Sequence, residues 1–183
     1  MDHEGRYFQA RGVSIFDRPE TPVPVYIAAS GPKSARIAGA ESDGWITDPR
    51  TARDRPDVRE AFEQGAGESG RDPPSLARIV ELWLVVGDRD EALAAAPLWR
   101  FLPVFGNVVN VAGPENVQRI AEELSTPERT ADGWLVSPDA ADHVRAIEAL
   151  AASGVTHVFI HSPQPDQRRV IEFYGREVLP ALG

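Results

Sequence analysis

The feature that most constrains the fold is the order in which apolar runs and amphipathic segments follow one another. Short apolar runs, typical of strands buried on both faces, are each followed by a segment with helical periodicity. The predicted strands are 25–29, 44–47, 77–86, 133–136 and 155–160, and the predicted helices are 32–40, 57–64, 90–99, 115–124, one beginning at 139, and 166–179. Strand followed by helix, repeated, implies parallel strands joined by right-handed crossovers, with the helices outside. The sequence therefore predicts an α/β fold in a single unit, residues 1–183.

Three segments add detail to this pattern. Two short alternating pieces around Gly12, residues 6–8 and 13–16, predict a small hairpin. Residues 101–113 are apolar but interrupted by prolines and glycines, so irregular structure is expected there. The helix beginning at 139 has one apolar face, which places His143 on its exposed side. Trp45, Trp83 and Trp134 lie in or beside strands and are expected in the core.

Composition excludes several classes of function. The 183 residues are 42% hydrophobic and 26% charged, which indicates a globular chain rather than a disordered one. The net charge of −9 disfavours nucleic acid as a partner. Cysteine is absent and the four histidines are isolated, so no metal site is predicted. No apolar run approaches the roughly 20 residues of a membrane helix, and we expect a cytoplasmic protein without membrane contact.

The most informative segment joins the first predicted strand to its helix. The strand ends in Ala28-Ala29-Ser30-Gly31, and Pro32 opens the helix. Small side chains let a ligand approach the backbone, and a helix start offers free N–H groups with a partial positive charge. Lys33 in the first turn opposes the helix dipole unless an anion lies nearby. On this pattern alone, a phosphate or carboxylate site and an ordinary βα turn with a solvent-facing lysine are equally good interpretations.

Residues 25–46 resemble the central signature of the luciferase-like superfamily. The strand–turn–helix segment is followed by Ser42-Asp43-Gly44-Trp45-Ile46, as in those proteins. The opening His3-Glu4-Gly5-Arg6-Tyr7-Phe8 and the ending His157-Val158-Phe159-Ile160-His161 with Asp166-Gln167-Arg168-Arg169 are also similar and stand in the same order. The resemblance is closest to the branch that uses the deazaflavin coenzyme F420, especially its glucose-6-phosphate dehydrogenase group.

The resemblance implies a (β/α)8 barrel with the cofactor across its C-terminal mouth. Carried over by position, Ser30, Gly31, Lys33 and Ser34 would contact the cofactor phosphate, with Ala28 and Ala29 leaving room. The anion interpretation of this turn is then favoured. The resemblance further implies hydride transfer between F420 and a small organic substrate, with FMN as the alternative cofactor of related monooxygenases.

A complete barrel of this type has about 250 residues, so this sequence corresponds to a C-terminal half. In the family, the His and Glu that handle protons come from earlier strands, and no catalytic residue is assigned here. A partial barrel exposes sheet edges, so we expect a homo-oligomer or pairing with a missing barrel half. A truncated gene, a misplaced start and a subunit awaiting a partner all remain open, as does an inactive half-barrel or assembly module.

Substrate residues are predicted at three positions. Asp48 and Thr51 stand where sugar-phosphate members of the family hold the substrate phosphate, and His161 ends the last strand. Val109 and Gly133 correspond to further phosphate-binding positions. None of these four non-histidine residues is a cation, which disfavours glucose 6-phosphate as the substrate. His161 as a site residue and His161 as an ordinary strand-end residue are equally good interpretations. Arg168 and Arg169 are expected to be solvated.

Overall fold

The fold is that of a computed structural model, which describes residues 2–14, 16–17 and 19–183. The strands are β1 (His3–Glu4), β2 (Gln9–Ala10), β3 (Tyr26–Ala28), β4 (Gly44–Thr47), β5 (Ala77–Val86), β6 (Leu135–Ser137) and β7 (His157–His161). The helices are α1 (Pro32–Glu41), α2 (Pro49–Asp54), α3 (Pro56–Glu68), α4 (Arg89–Ala95), α5 (Phe105–Val108), α6 (Pro114–Leu124), α7 (Pro127–Ala131), α8 (Ala140–Ala152), α9 (Gln167–Phe173) and α10 (Leu179–Leu182).

Five of these strands form one parallel sheet. Its order is β3-β4-β5-β6, and β7 pairs with β5. The predicted α/β class with parallel strands is therefore confirmed. Within the described part of the chain, β3 pairs only with β4 and β7 pairs only with β5, so each leaves one edge of the sheet without a strand.

The long strand β5 holds β6 and β7 through different parts of its length. Residues 79–83 pair with β7, and residues 84–86 pair with β6. Beyond the end of β7, the side chain of Gln164 continues the pairing: its Oε1 accepts from the Val86 N–H at 2.8 Å, and its Nε2 donates to the Val86 carbonyl at 3.1 Å. The N–H of Gly87 donates to the Ser137 carbonyl at 3.2 Å. The buried side-chain amide of Gln164 thus makes the two hydrogen bonds to Val86 that a further residue of β7 would make.

Two apolar clusters cover the outer face of the sheet. In the first, Ile27 and Trp45 pack with α1 and α3, and Phe62 is fully buried. In the second, Val80, Leu82, Leu84 and Val86 pack against side chains of α8, α9 and the π-helical turn Tyr174–Val178. Because side chains alternate along a strand, Ile79, Glu81 and Trp83 lie on the opposite face, which we call the inner face.

Several predicted helix boundaries needed correction. The predicted helix 57–64 was expected to end at Gly65, yet α3 runs from Pro56 to Glu68. Gly65 is retained inside the helix because the backbone of α1 approaches it too closely for a side chain. The short helices α2 and α7 were not predicted. The final predicted helix is interrupted by a π-helical turn, while 102–108 contains only short 3₁₀ and α turns, as expected of irregular structure.

The predicted hairpin exists with a different register. β1 and β2 pair antiparallel, His3 opposite Ala10 and Glu4 opposite Gln9, so residues 6–8 belong to the connection rather than to a strand. Ile15, in the second predicted piece, lies outside the described residues. None of the helices described is both long enough and apolar enough to span a bilayer.

The prediction that His143 is exposed is wrong. Its side chain is fully buried, with Nε2 2.9 Å from the Ser137 carbonyl and Nδ1 2.8 Å from the Tyr174 hydroxyl. A carbonyl only accepts, so Nε2 carries the proton and Nδ1 accepts from the hydroxyl. Two hydrogen bonds satisfy both ring nitrogens, which allows a polar residue to occupy this apolar surrounding.

Candidate active site

The turn between β3 and α1 is held in place by β4. The N–H of Ala29 donates to the Ile46 carbonyl at 3.0 Å, and the indole Nε1 of Trp45 donates to the Ala29 carbonyl at 2.7 Å. Trp45 is itself buried against Phe62, at a ring distance of 5.7 Å. Ala29 is therefore an anchoring residue whose backbone groups are both used, while Ala28 and Ser30 on either side are exposed.

The start of α1 has the properties of an anion site. Gly31 is the N-cap residue, and no side-chain hydrogen bond caps the helix. The backbone at Gly31 is extended, with φ −134° and ψ 156°, and a Cβ built there meets nothing within 4 Å. The fold therefore does not require a glycine at this position. Ser34 Oγ donates back to the Gly31 carbonyl at 3.0 Å, and Lys33 is exposed.

The inner face of the sheet carries a carboxylate and an imidazole side by side. Glu81 and His161 lie on adjacent strands, with 3.6 Å between the carboxylate Oε1 and Nε2. The His161 ring stacks on Trp83, with 5.0 Å between centroids and 17° between planes. The pairing of Trp83 opposite His161 in the β5–β7 register produces this stack. A carboxylate and an imidazole so placed can hold or pass a proton.

Asp48 and Thr51 form a helix cap with each other. The Asp48 carboxylate accepts from the Thr51 N–H at 2.9 Å and from the Thr51 hydroxyl at 2.6 Å. Thr51 is buried, whereas Asp48 is exposed at the C-terminal end of β4. This geometry explains Asp48 as the N-cap residue of α2 and Thr51 as the residue whose N–H and hydroxyl the cap accepts.

Two clefts adjoin the inner-face residues. One, of about 410 Å³, contains Asp48, Glu81, Trp83 and Gly133. The other, of about 750 Å³, runs along β7 and α9 and contains Glu81 and His161. Thr51 and Val109 line neither of them. Glu81 thus borders both clefts and connects the predicted substrate residues Asp48 and His161.

The predicted cofactor residues are not brought into either of these clefts. Ala28, Ala29, Ser30, Gly31 and Ser34 border neither, and Lys33 borders a separate groove with Arg36 and Glu68 on the surface of α1 and α3. The candidate site therefore has two parts on the carboxyl side of the sheet: the α1 turn, and the inner-face pair with its clefts.

Sequence reasoning missed Glu81. The signal was present, because Glu81 is the only charged residue in the otherwise apolar run from Ile79 to Val86. A carboxylate inside a strand that packs against helices requires a polar neighbour or a face open to a site. Trp45 and Trp134 are buried as predicted, whereas Trp83 is only half-buried and stacks on His161.

Arg168 and Arg169 both pair with carboxylates of the chain. Arg168 is 87% exposed and bonds to Glu172. Arg169 forms a bidentate pair with Glu91, which joins α9 to α4. The hydrogen bond from Arg169 lowers the pKa of Glu91. These contacts agree with the expected solvated arginines and give Arg169 a structural partner as well.

Comparison with known proteins places this architecture in a family. A family model described as luciferase-like monooxygenase matches residues 1–157. The chain belongs to this family. The predicted resemblance is thereby confirmed, and the parallel sheet with outer helices corresponds to part of the barrel found in luciferase-like enzymes.

Two curated relatives of this luciferase-like chain are described as F420-dependent enzymes. An F420-dependent hydroxymycolic acid dehydrogenase of Mycobacterium tuberculosis is 40% identical over 179 residues, which are 97% of this chain and 48% of that protein. An F420-dependent glucose-6-phosphate dehydrogenase of Beutenbergia cavernae is 37% identical over 183 residues, covering 98% of this chain and 54% of that protein. The chain thus spans about half the length of the curated relatives it matches.

Solved structures show the same relationship. An F420-dependent secondary alcohol dehydrogenase in complex with an F420–acetone adduct superposes with a TM-score of 0.82 at 28% identity, over all of this chain and 56% of that one. An F420-dependent tetrahydromethanopterin reductase from Methanopyrus kandleri has the same fold, with a TM-score of 0.70 at 21% identity over 58% of its length.

Proposed function

We propose that this luciferase-like chain forms the cofactor-phosphate side of an F420-dependent oxidoreductase acting on a small organic substrate. The observation that carries the proposal is Gly31, a glycine that neither backbone angle nor neighbouring atoms require. A glycine without a structural reason costs conformational entropy, and room for a ligand explains its presence. The uncapped start of α1 supplies the N–H groups and partial charge that a phosphate needs.

The residues present fit this cofactor. Backbone N–H groups of the first turn of α1, the Ser30 and Ser34 side chains and the Lys33 ammonium would hold the phosphate, and the small Ala28 leaves room beside them. The hydrogen bonds of Ala29 to β4 would keep the turn rigid. When bound, the deazaflavin would supply the hydride chemistry, which belongs to the cofactor rather than to the protein.

The inner-face pair is the candidate for proton handling by this chain. Glu81 and His161 are 3.6 Å apart, and the His161 ring stacks on Trp83. Glu81 borders both clefts, and His161 borders the one along β7. The Glu81 carboxylate and the His161 imidazole can each accept a proton from a bound substrate or donate one to it. His161, Asp48 and Thr51 as substrate residues stay predictions, and the contact between Asp48 and Thr51 supports a structural role for these two.

The sheet edges support a partner that completes the barrel. The outer edges of β3 and β7 lack a strand within the described residues, and such edges favour pairing with another segment. A complementary barrel half or a second copy of the chain would meet this need. Residues 1–183 as one barrel unit also stay a prediction.

A titration of the purified chain with F420, followed by calorimetry, tests the cofactor proposal. We expect saturable binding that Gly31→Leu abolishes while the circular dichroism spectrum is unchanged. Gly67→Leu is the matched control, because a Cβ at Gly67 also meets nothing within 4 Å. A parallel titration with FMN distinguishes the two cofactors. A folded chain that binds neither would contradict the proposal and favour an inactive half-barrel or assembly module.

A further inference from the structure

The cleft of about 410 Å³ lies between α2, β5 and the segment 102–134. We call it the arginine cleft. It is lined by Asp48, Pro49, Arg50, Arg53, Glu81, Leu82, Trp83, Leu102, Pro103, Arg129, Thr130, Gly133 and Trp134. Three arginines, Arg50, Arg53 and Arg129, thus line one cleft in a chain whose net charge is −9.

The three arginines of the cleft are not ion-paired within the described part of the chain. Across residues 2–14, 16–17 and 19–183, no carboxylate forms an ion pair with Arg50, Arg53 or Arg129. The described contact of the Arg129 guanidinium is with the carbonyl of Leu124, at 3.1 Å. Arg50, Arg53 and Arg129 are all exposed. Among the residues that line the cleft, the three arginines therefore outnumber the two carboxylates, Asp48 and Glu81.

The two carboxylates of the cleft have other partners. Asp48 accepts both the N–H and the hydroxyl of Thr51 as the cap of α2. Glu81 faces His161 at 3.6 Å. Neither forms an ion pair with an arginine of the described residues, so the guanidinium groups keep their capacity to bind an external anion. Arg50 and Arg53, three residues apart in α2, project to the same side of that helix.

The remaining wall of the cleft is apolar and aromatic. Trp83 packs against Trp99, with 4.7 Å between ring centroids, and Trp134 is buried next to Val85 and Ala131. Leu102 and Pro103 also line the cleft. A ligand with an apolar carbon skeleton would be covered by this wall while its charged end meets the arginines.

We propose that the arginine cleft binds the organic substrate, and that this substrate is an oxyanion, a carboxylate or a phosphate, on an apolar or aromatic skeleton. The planar guanidinium matches both kinds of oxyanion through paired N–H donors. That the bound oxyanion is the substrate rests on the proposed function.

The test uses the purified chain without cofactor. Phenyl phosphate and phenylacetate are the probes, benzyl alcohol is the neutral control, and binding is followed by the indole N–H signals in ¹H–¹⁵N spectra. We expect the signals of Trp83 and Trp134 to shift and the Trp45 signal, which is bonded to Ala29, to stay. Arg50→Gln/Arg53→Gln should weaken binding by about tenfold or more.

Arg119→Gln/Arg176→Gln is the matched control, since it removes the same charge from exposed arginines outside the cleft. Equal weakening by both double variants would overturn the proposal, as would equal binding of benzyl alcohol. Displacement of phenyl phosphate by F420 would also overturn it, because the cleft would then belong to the cofactor. Gly31→Leu distinguishes the two proposals: it should abolish F420 binding and leave phenyl phosphate binding unchanged.

Discussion

Gly39 and Gly65 bring the backbones of α1 and α3 into direct contact, each against the other helix. A Cβ on Gly39 would lie 2.0 Å from the Phe62 carbonyl oxygen, and a Cβ on Gly65 would lie 2.0 Å from the Arg36 carbonyl oxygen. Both obstacles are backbone atoms, which cannot rotate away. This contact fixes α1, and with it the turn that carries Gly31, against the rest of the fold.

Gly39→Ala should therefore destabilise the protein. The added methyl group forces the two helices apart, and overpacking of this kind costs about 1–3 kcal/mol. Gly67→Ala in the same α3 should be neutral or stabilising by up to about 1 kcal/mol, because its Cβ meets nothing within 4 Å and alanine favours the helix. Urea unfolding of both variants measures the difference. Equal stabilities would show that the helices do not cross so closely.

The Gln164 amide should be needed for the end of β5. Gln164→Leu leaves the Val86 N–H and carbonyl without their partner, and a buried unpaired polar group costs about 1–3 kcal/mol. We expect a lower free energy of unfolding and faster hydrogen exchange at the Val86 amide. Gln64→Leu, on the exposed surface of α3, is the control. An unchanged exchange rate at Val86 would contradict the bridging role of Gln164.

Tyr174 should make stability fall at alkaline pH. Burial raises the pKa of Tyr174 above its ordinary value of about 10. A phenol whose pKa is raised by folding contributes stability below the unfolded pKa, and this contribution is lost as pH rises from there towards the folded value. Tyr174→Phe should remove that part of the pH dependence.

The same substitution should cost about 1–3 kcal/mol at neutral pH, because the buried His143 Nδ1 loses its donor. Unfolding by urea at pH 7 and pH 10.5 measures both effects. A wild-type and a Tyr174→Phe protein with parallel pH profiles would exclude the ionisation of Tyr174 as a cause.

The strands and their parallel direction could be predicted because the sequence pattern is local. Apolar runs are bounded by turn residues, such as Asp43-Gly44 at the start of β4 and Gly87-Asp88 after β5, and each boundary lies within a few residues of the observed one. The extension of α3 beyond Gly65 could not be predicted in this way, because it depends on the approach of α1. His143 was misplaced for the same reason, since Tyr174 lies 31 residues away in sequence.

The candidate site also has one part that is local in sequence and one part that is not. Its α1 turn is contiguous, so Gly31 and its neighbours could be found from the sequence. The other contacts join elements that are distant in sequence. The β5–β7 register brings Glu81 next to His161, and the fold brings Arg50 and Arg53 to the same cleft as Arg129. Asp48 was found by family position, but its bond to Thr51 was not.

Asp48 offers a test that separates its structural role from its place in the arginine cleft. Asp48→Ala removes the cap of α2 and the partner of the Thr51 hydroxyl, and should cost about 1 kcal/mol of stability. Asp48→Asn should keep most of that stability, because asparagine caps helices as well as aspartate does. Asp48→Asn also removes a negative charge from the cleft, so its affinity for phenyl phosphate should rise. Asp48→Ala removes the same charge and should gain affinity as well, but at a cost in stability. Calorimetric titration and urea unfolding of the two variants measure affinity and stability. Weaker phenyl phosphate binding by Asp48→Asn would contradict this expectation and would mean that the Asp48 carboxylate accepts a hydrogen bond from the ligand.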